Sequence, residues 1–194
     1  MKSISEAYIL KLQEQKVTDE LGIIKVTYAL AVIKNELIKT LLLLLIFALL
    51  GQAKTFLIVM LLILPIRIST GGVHFQKSIP CFLFSLTYFF LSIFVFPLLK
   101  LQQLSCYCLL AISSIIICIC PLAPSEARPI LSRKKYLQNK YFSIIYLCIF
   151  NVIVLVVLKD NLIITISCWA LFLHSVELLF LKLHKQLKKE NRYV

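Results

Sequence analysis

Residues 37–68 read LIKTLLLLLIFALLGQAKTFLIVMLLILPIRI. How this stretch crosses a bilayer decides the fold. As one long span it would hold Gln52 and Lys54 near its centre. A lysine at mid-membrane costs roughly 3 kcal/mol on insertion scales. A tight turn at Gly51–Lys54 removes that cost, because a lysine at a helix end can snorkel to the surface. The stretch therefore reads as two short spans, 37–51 and 55–68, of a length that local bilayer thinning tolerates.

Four more apolar runs follow, at 81–99, 104–122, 141–158 and 162–181, each long enough to cross. Six spans put both termini on the same side. The positive-inside rule makes that side cytoplasmic: of 21 Lys and Arg, only Lys54, Lys100 and Lys159 then fall outside. With five spans this asymmetry nearly vanishes. The expectation is an all-α polytopic membrane protein with about six transmembrane helices and both termini cytoplasmic. Residues 1–36 read as an amphipathic N-terminal helical region, 37–182 as the six-span domain and 183–194 as a basic tail. The first region opens on a capping box, Ser3 and Glu6, and its lysines punctuate Ile4, Tyr8, Leu12, Leu21 and Ile24. Such a helix can lie in the membrane interface or pack on the protein's own cytoplasmic face.

Bulk composition agrees. The 194 residues are 60% hydrophobic and only 15% charged, with a mean hydropathy of +0.93. A soluble fold of this size could not hide so much apolar surface, so lipid must cover part of it. The net charge of +12 lies between apolar runs and marks topology and lipid-headgroup contacts, not nucleic acid. Seven cysteines, an odd number and mostly inside apolar runs, argue against a disulfide framework.

Chemistry concentrates in residues 65–85, PIRISTGGVHFQKSIPCFLFS. Cysteine catalysis needs a thiolate, a base and donors for an oxyanion. On one continuous helix His74 and Cys81 would sit about 10 Å apart along the axis, too far for proton transfer. Gly71–Gly72 and Pro80 argue for a break instead. Pro80 suits the first position of the third span, with Cys81 in the first turn. The dipole and the unsatisfied N–H groups there favour a thiolate, and a folded-back loop could bring His74 to it. The plain alternative is a packed cysteine and a solvated histidine. Arg67 could bind a substrate carboxylate, brace the loop or anchor topology. Gly71 and Gly72 could offer N–H groups to an oxyanion or simply form a turn, and Gln76 and Ser78 are further donors.

Arg67, Gly71–Gly72, His74 and Cys81 together resemble the accessory gene regulator B (AgrB) family of quorum-sensing peptide processors. The stretch PLAPSEARPILSRKKY, residues 121–136, is similar to that family's proline-containing basic loop. The resemblance implies a cysteine endopeptidase in the bacterial cell membrane, working from the cytoplasmic side. Its partner would be a small AgrD-like precursor peptide. Cys81 would release the precursor's C-terminal tail, with His74 as base and then acid, and a precursor cysteine would take the acyl group to close a thiolactone. The resemblance also implies a homodimer.

Other features are weaker. His174 and Glu177 lie three apart in the last span, where ionisable groups are functional candidates. They read as a hydrogen-bonded structural pair, or Glu177 could orient His74 or pair with Arg67. Their spacing is not that of the H-E-x-x-H zinc motif. In the C-x-C pairs, Cys106/Cys108 and Cys118/Cys120, helical neighbours two apart point to different sides, which does not suit a metal. Arg133–Lys135 is a cytoplasmic anchor or a hold on an acidic precursor. No P-loop or dinucleotide fingerprint is present, and no cofactor is required. The competing function is a small non-catalytic transporter or peptide-binding and export protein, although the spans offer few of the polar groups a transporter needs.

Overall fold

The computed structural model describes residues 20–73, 77–120, 122–123 and 132–190. Ser3, Glu6 and the other amphipathic positions up to residue 19 lie outside the described residues, as do His74, Gln76 and 124–131 of the basic loop. Among the described residues helix dominates, and four of the helices are long and apolar enough to cross a membrane. The protein is an all-α membrane protein.

Residues up to Leu49 form a unit of their own. Its helix, α1, runs unbroken over Glu20–Leu49. The polar stretch and the first apolar run are thus one element, not two, because no Gly or Pro occurs between Ile23 and Leu50 and strong helix formers dominate. Lys39 pairs with Glu36 one turn back at 2.5 Å. The helix breaks at the expected turn, where Gly51 takes φ +72°.

Among its described residues the second unit holds five α-helices: α2 (Ala53–Thr70), α3 (Ser78–Phe90), α4 (Gln103–Ile119), α5 (Arg133–Val152) and α6 (Asn161–Glu190). A π turn at Leu91–Val95 and a 3₁₀ turn at Phe96–Leu99 prolong α3, and a π turn at Ile153–Val157 prolongs α5. With these extensions, α2, α3, α5 and α6 are each long and apolar enough to cross a bilayer; α4 is apolar but shorter. Helix starts are locally encoded. Ser132 accepts from Lys135 N–H to cap α5, and the Asp160 carboxylate accepts from Leu162 N–H at the start of α6.

The centre of this unit is α6. Ile166 to Leu171, His174, Ser175 and Leu178 are buried, so the helix is covered on nearly every side. It packs against α2, α3 and α4. Buried serines allow the close approach. Ser113, Ser143, Ser167 and Ser175 each donate to a carbonyl of their own helix three or four residues back, so none carries an unmet hydroxyl. Aromatic packing fills the rest: Phe56 meets Phe89 edge-on at 4.9 Å, and Phe96 stacks on Trp169 at 4.5 Å.

The α2 stripe Phe56, Val59, Ile63, Ile66 and Thr70 is buried at helical spacing and faces α5 and α6. Its C-terminal end delivers the chain to the site.

Candidate functional site

The break between α2 and α3 is built by glycine. Gly71 ends α2 with φ 79° and ψ −164°, and its N–H caps the helix on Arg67 O. Only glycine occupies that backbone region readily. The chain there runs alongside Ala123 in a parallel bridge, and Ala123 N–H donates to Thr70 O at 2.8 Å. A Cβ on Gly71 would stand 2.0 Å from Ala123 O. Both the conformation and the contact therefore exclude a side chain.

Lys140 holds the other side of that contact. Its Nζ donates to Ile117 O at 3.0 Å and to Cys120 O at 2.7 Å. These are carbonyls that the end of α4 leaves without intrahelical partners. A cation at a helix C-terminus is also electrostatically favoured.

Beyond Gly71 the chain meets α6. Glu177 carries a carboxylate whose side chain is only 4% exposed. Arg67 Nη2 donates to Oε1 at 2.9 Å and to Oε2 at 3.1 Å. Val73 N–H donates to Oε1 at 2.6 Å, and His174 Nδ1 lies 3.3 Å from Oε2. The guanidinium of Arg67 also lies over the Tyr88 ring, 4.8 Å from its centroid, and Tyr88 Oη donates to Ala170 O. The cluster thus draws on α2, the following turn, α3 and α6. A buried carboxylate is tolerated only when paired and hydrogen-bonded in this way.

His174 is fully buried, and its second nitrogen, Nε2, lies 2.8 Å from Thr70 Oγ1. Hydroxyl, imidazole and carboxylate are connected as in a hydrolase triad. Thr70 is only 2% exposed, however, and its hydroxyl also donates to Ile66 O at 2.8 Å. With its one proton on Ile66 O, the hydroxyl stands toward His174 Nε2 as an acceptor and not as a nucleophile that the imidazole activates.

Of the residues the sequence singled out, Arg67, Gly71, Gly72 and Glu177 come together. A Cβ on Gly72 would stand 2.6 Å from Glu177 Oε1. The N–H groups of Gly71 and Val73 are taken by Arg67 O and Glu177, so neither is a free oxyanion donor. Ser78 is the first helical residue of α3 and is exposed. Pro80 stands third in that helix instead of first, since any N–H of the first turn can be dispensed with. Cys81 follows it as a half-buried thiol. Helical spacing sets Cys81 on the same face of α3 as Phe84 and Tyr88, the two rings that flank Arg67. Cys106 is buried and Cys108 exposed, while Cys118 is exposed and Cys120 buried, so each C-x-C pair faces two ways. The sequence reading missed Thr70, the Val73 N–H, Tyr88 and Lys140; an ionisable residue at a span end, as Lys140 is, was the one available signal.

No curated protein and no solved structure matches the chain. The family model described as accessory gene regulator B matches residues 5–178. That match covers most of the chain and includes every residue of the cluster, and so this membrane protein belongs to the accessory gene regulator B family of agr-type quorum sensing.

Proposed function

We propose that the protein is a cysteine endopeptidase that removes the C-terminal tail of a small AgrD-like precursor and closes the remaining peptide into a thiolactone. Cys81 Sγ attacks the carbonyl at the processing point while His74 takes the thiol proton. The tetrahedral intermediate collapses, the C–N bond breaks, and His74 returns the proton to the departing amine. The peptide is left as a thioester on Cys81. The thiol of a precursor cysteine then attacks that thioester. Its proton passes to the Cys81 sulfur as that group leaves, and a new thioester closes the ring. One thioester replaces another, so little bond energy is lost, whereas water would discard it. A site at the membrane boundary limits water.

One observation carries this reading: the fate of the other imidazoles. The chain has 3 histidines. His174 is buried with both ring nitrogens engaged, by Glu177 and Thr70. His184 lies ten residues further along α6, exposed and stacked on Phe180. His74 is the imidazole in sequence reach of Cys81, directly after a turn anchored at Gly71 and Val73. Cys81 itself is in the first turn of α3 and partly accessible. Six spans with both termini inside put this turn at the cytoplasmic surface, where a newly made precursor resides.

The test is co-expression with the candidate precursor. Cys81→Ala, Cys81→Ser and His74→Ala are each expected to abolish tail release while the protein still accumulates in the membrane. A transporter or scaffold tolerates Cys81→Ala. Mass spectrometry of protein trapped with precursor is expected to find the acyl group on Cys81; an adduct elsewhere refutes the assignment.

A further inference from the structure

Glu177 does more than neutralise Arg67. A salt bridge alone would need only the guanidinium, which reaches both carboxylate oxygens. The same carboxylate also takes the backbone N–H of Val73 at 2.6 Å. It lies so close to the chain that a methyl group on residue 72 would have to displace it: a Cβ there would stand 2.6 Å from Oε1 and 3.3 Å from Cδ. Unlike Gly71, Gly72 has no positive φ to explain it. A side chain there would have to push the Glu177 carboxylate off its partners. Two residues 105 positions apart are thus fitted to each other, one by size and one by charge.

The segment they fix is short. Thr70 O and Gly71 are tied to Ala123, and Val73 N–H to Glu177. The next residue in the chain is His74. Only the φ and ψ of Val73 separate that anchored N–H from the peptide that begins His74. We infer that Glu177 is a positioning residue, whose carboxylate, seated against Gly72 and bonded to Val73, holds the backbone from which the His74 segment departs. This rests on the peptidase reading, with His74 as the base.

The test reads Cys81 directly. Detergent-solubilised protein is treated with iodoacetamide near neutral pH, and alkylation of Cys81 is followed by peptide mass spectrometry. His74→Ala is compared with Glu177→Leu and Glu177→Gln. Glu177→Leu is expected to lower the alkylation rate to that of His74→Ala. It is also expected to cut kcat for tail release by about 100-fold, the scale of an ångström-level misplacement, with KM little changed. Glu177→Gln keeps an acceptor oxygen of the same reach for Val73 and is expected to recover most of both. If Glu177→Leu fails to accumulate, Gly72→Ala displaces the same carboxylate from the other side and is expected to give the same alkylation rate as His74→Ala. Wild-type alkylation in whichever of the two accumulates overturns the positioning role. If His74→Ala itself leaves Cys81 alkylation unchanged, the peptidase reading fails first, and the two failures are told apart by that single variant.

Discussion

Replacing Gly71 by alanine tests the turn on which the site depends. The new Cβ would lie 2.0 Å from Ala123 O and 2.7 Å from Ala123 C. Both are backbone atoms, so no rotamer change relieves the collision. The 122–123 segment must retreat by about 1.4 Å, from 2.0 to 3.4 Å, before the contact becomes an ordinary one. The hydrogen bond from Ala123 N–H to Thr70 O, now 2.8 Å, cannot survive that retreat. Its loss costs about 1 kcal/mol, and alanine in a glycine-only backbone region adds about 1–3 kcal/mol. The sum is roughly 2–4 kcal/mol. Gly51→Ala is the control. It too has a positive φ, 72°, but nothing lies within 4 Å of its Cβ position, so it should cost only the conformational share, about 1–2 kcal/mol. Both variants are heated in detergent, and the folded fraction is read by size-exclusion chromatography. Gly71→Ala is expected to melt clearly below Gly51→Ala. It is also expected to lose precursor tail release, because Gly72 and Val73 move off Glu177 with it, while Gly51→Ala keeps it. Equal melting and equal processing in the two variants refute the reasoning.

Other substitutions follow from the same contacts. Arg67→Met leaves the Glu177 carboxylate buried without its cation and is expected to cost about 3–5 kcal/mol, seen in the same melt. Arg67→Lys keeps the charge but loses the guanidinium over the Tyr88 ring and should fall between Arg67→Met and wild type. Lys140→Met removes two charged hydrogen bonds to the end of α4. It is expected to cost about 1.5–3 kcal/mol and to speed amide exchange at Ala123, with Lys140→Arg recovering most of the protection. The six-span topology predicts that single cysteines placed at Lys100 or Lys159, in a background without the native thiols, react with an impermeant maleimide from outside intact cells. A cysteine at Arg133 should react only after permeabilisation, and the reverse pattern overturns the orientation.

Much of the fold was legible because a bilayer punishes polar backbone and charge so strongly. Gly51 and Lys54 marked a helix break, and a break is there. What hydropathy does not record is where a helix begins once polar residues are compatible with it. Glu20–Leu49 is one helix because Lys25, Lys34 and Glu36 are good helix formers, and an apolar-run reading starts it too late. The same blindness hid the centre of the second unit. Residues 162–181 read as one more span. Yet Ser167, Cys168, Ala170 and Ser175 already carry the small-residue signature of a helix packed on all sides. The π turns after α3 and α5 had no breaker within them to announce them.

The site divides along a similar line. Local pieces could be read from a short window: a glycine pair that stops α2, and a proline and a cysteine that open α3. The partner of that window lies more than a hundred residues away, and no local pattern points across that gap. One long-range rule does. An ionisable group inside a span must find an opposite charge or a polar partner. Glu177 and His174 break the apolar run of α6, and Arg67 breaks the end of α2. In a six-span arrangement both helices run toward the cytoplasm, so an Arg three residues before the end of α2 and a Glu near the inner end of the apolar run 162–181 share a depth. Charge and depth together pair them, and the structure has them 2.9 Å apart. Gly72 then acquires its reason. It is small because a carboxylate from the last helix occupies the space its side chain would take, so the Gly-Gly pair serves two separate demands: a backbone angle at the first position and a distant charge at the second.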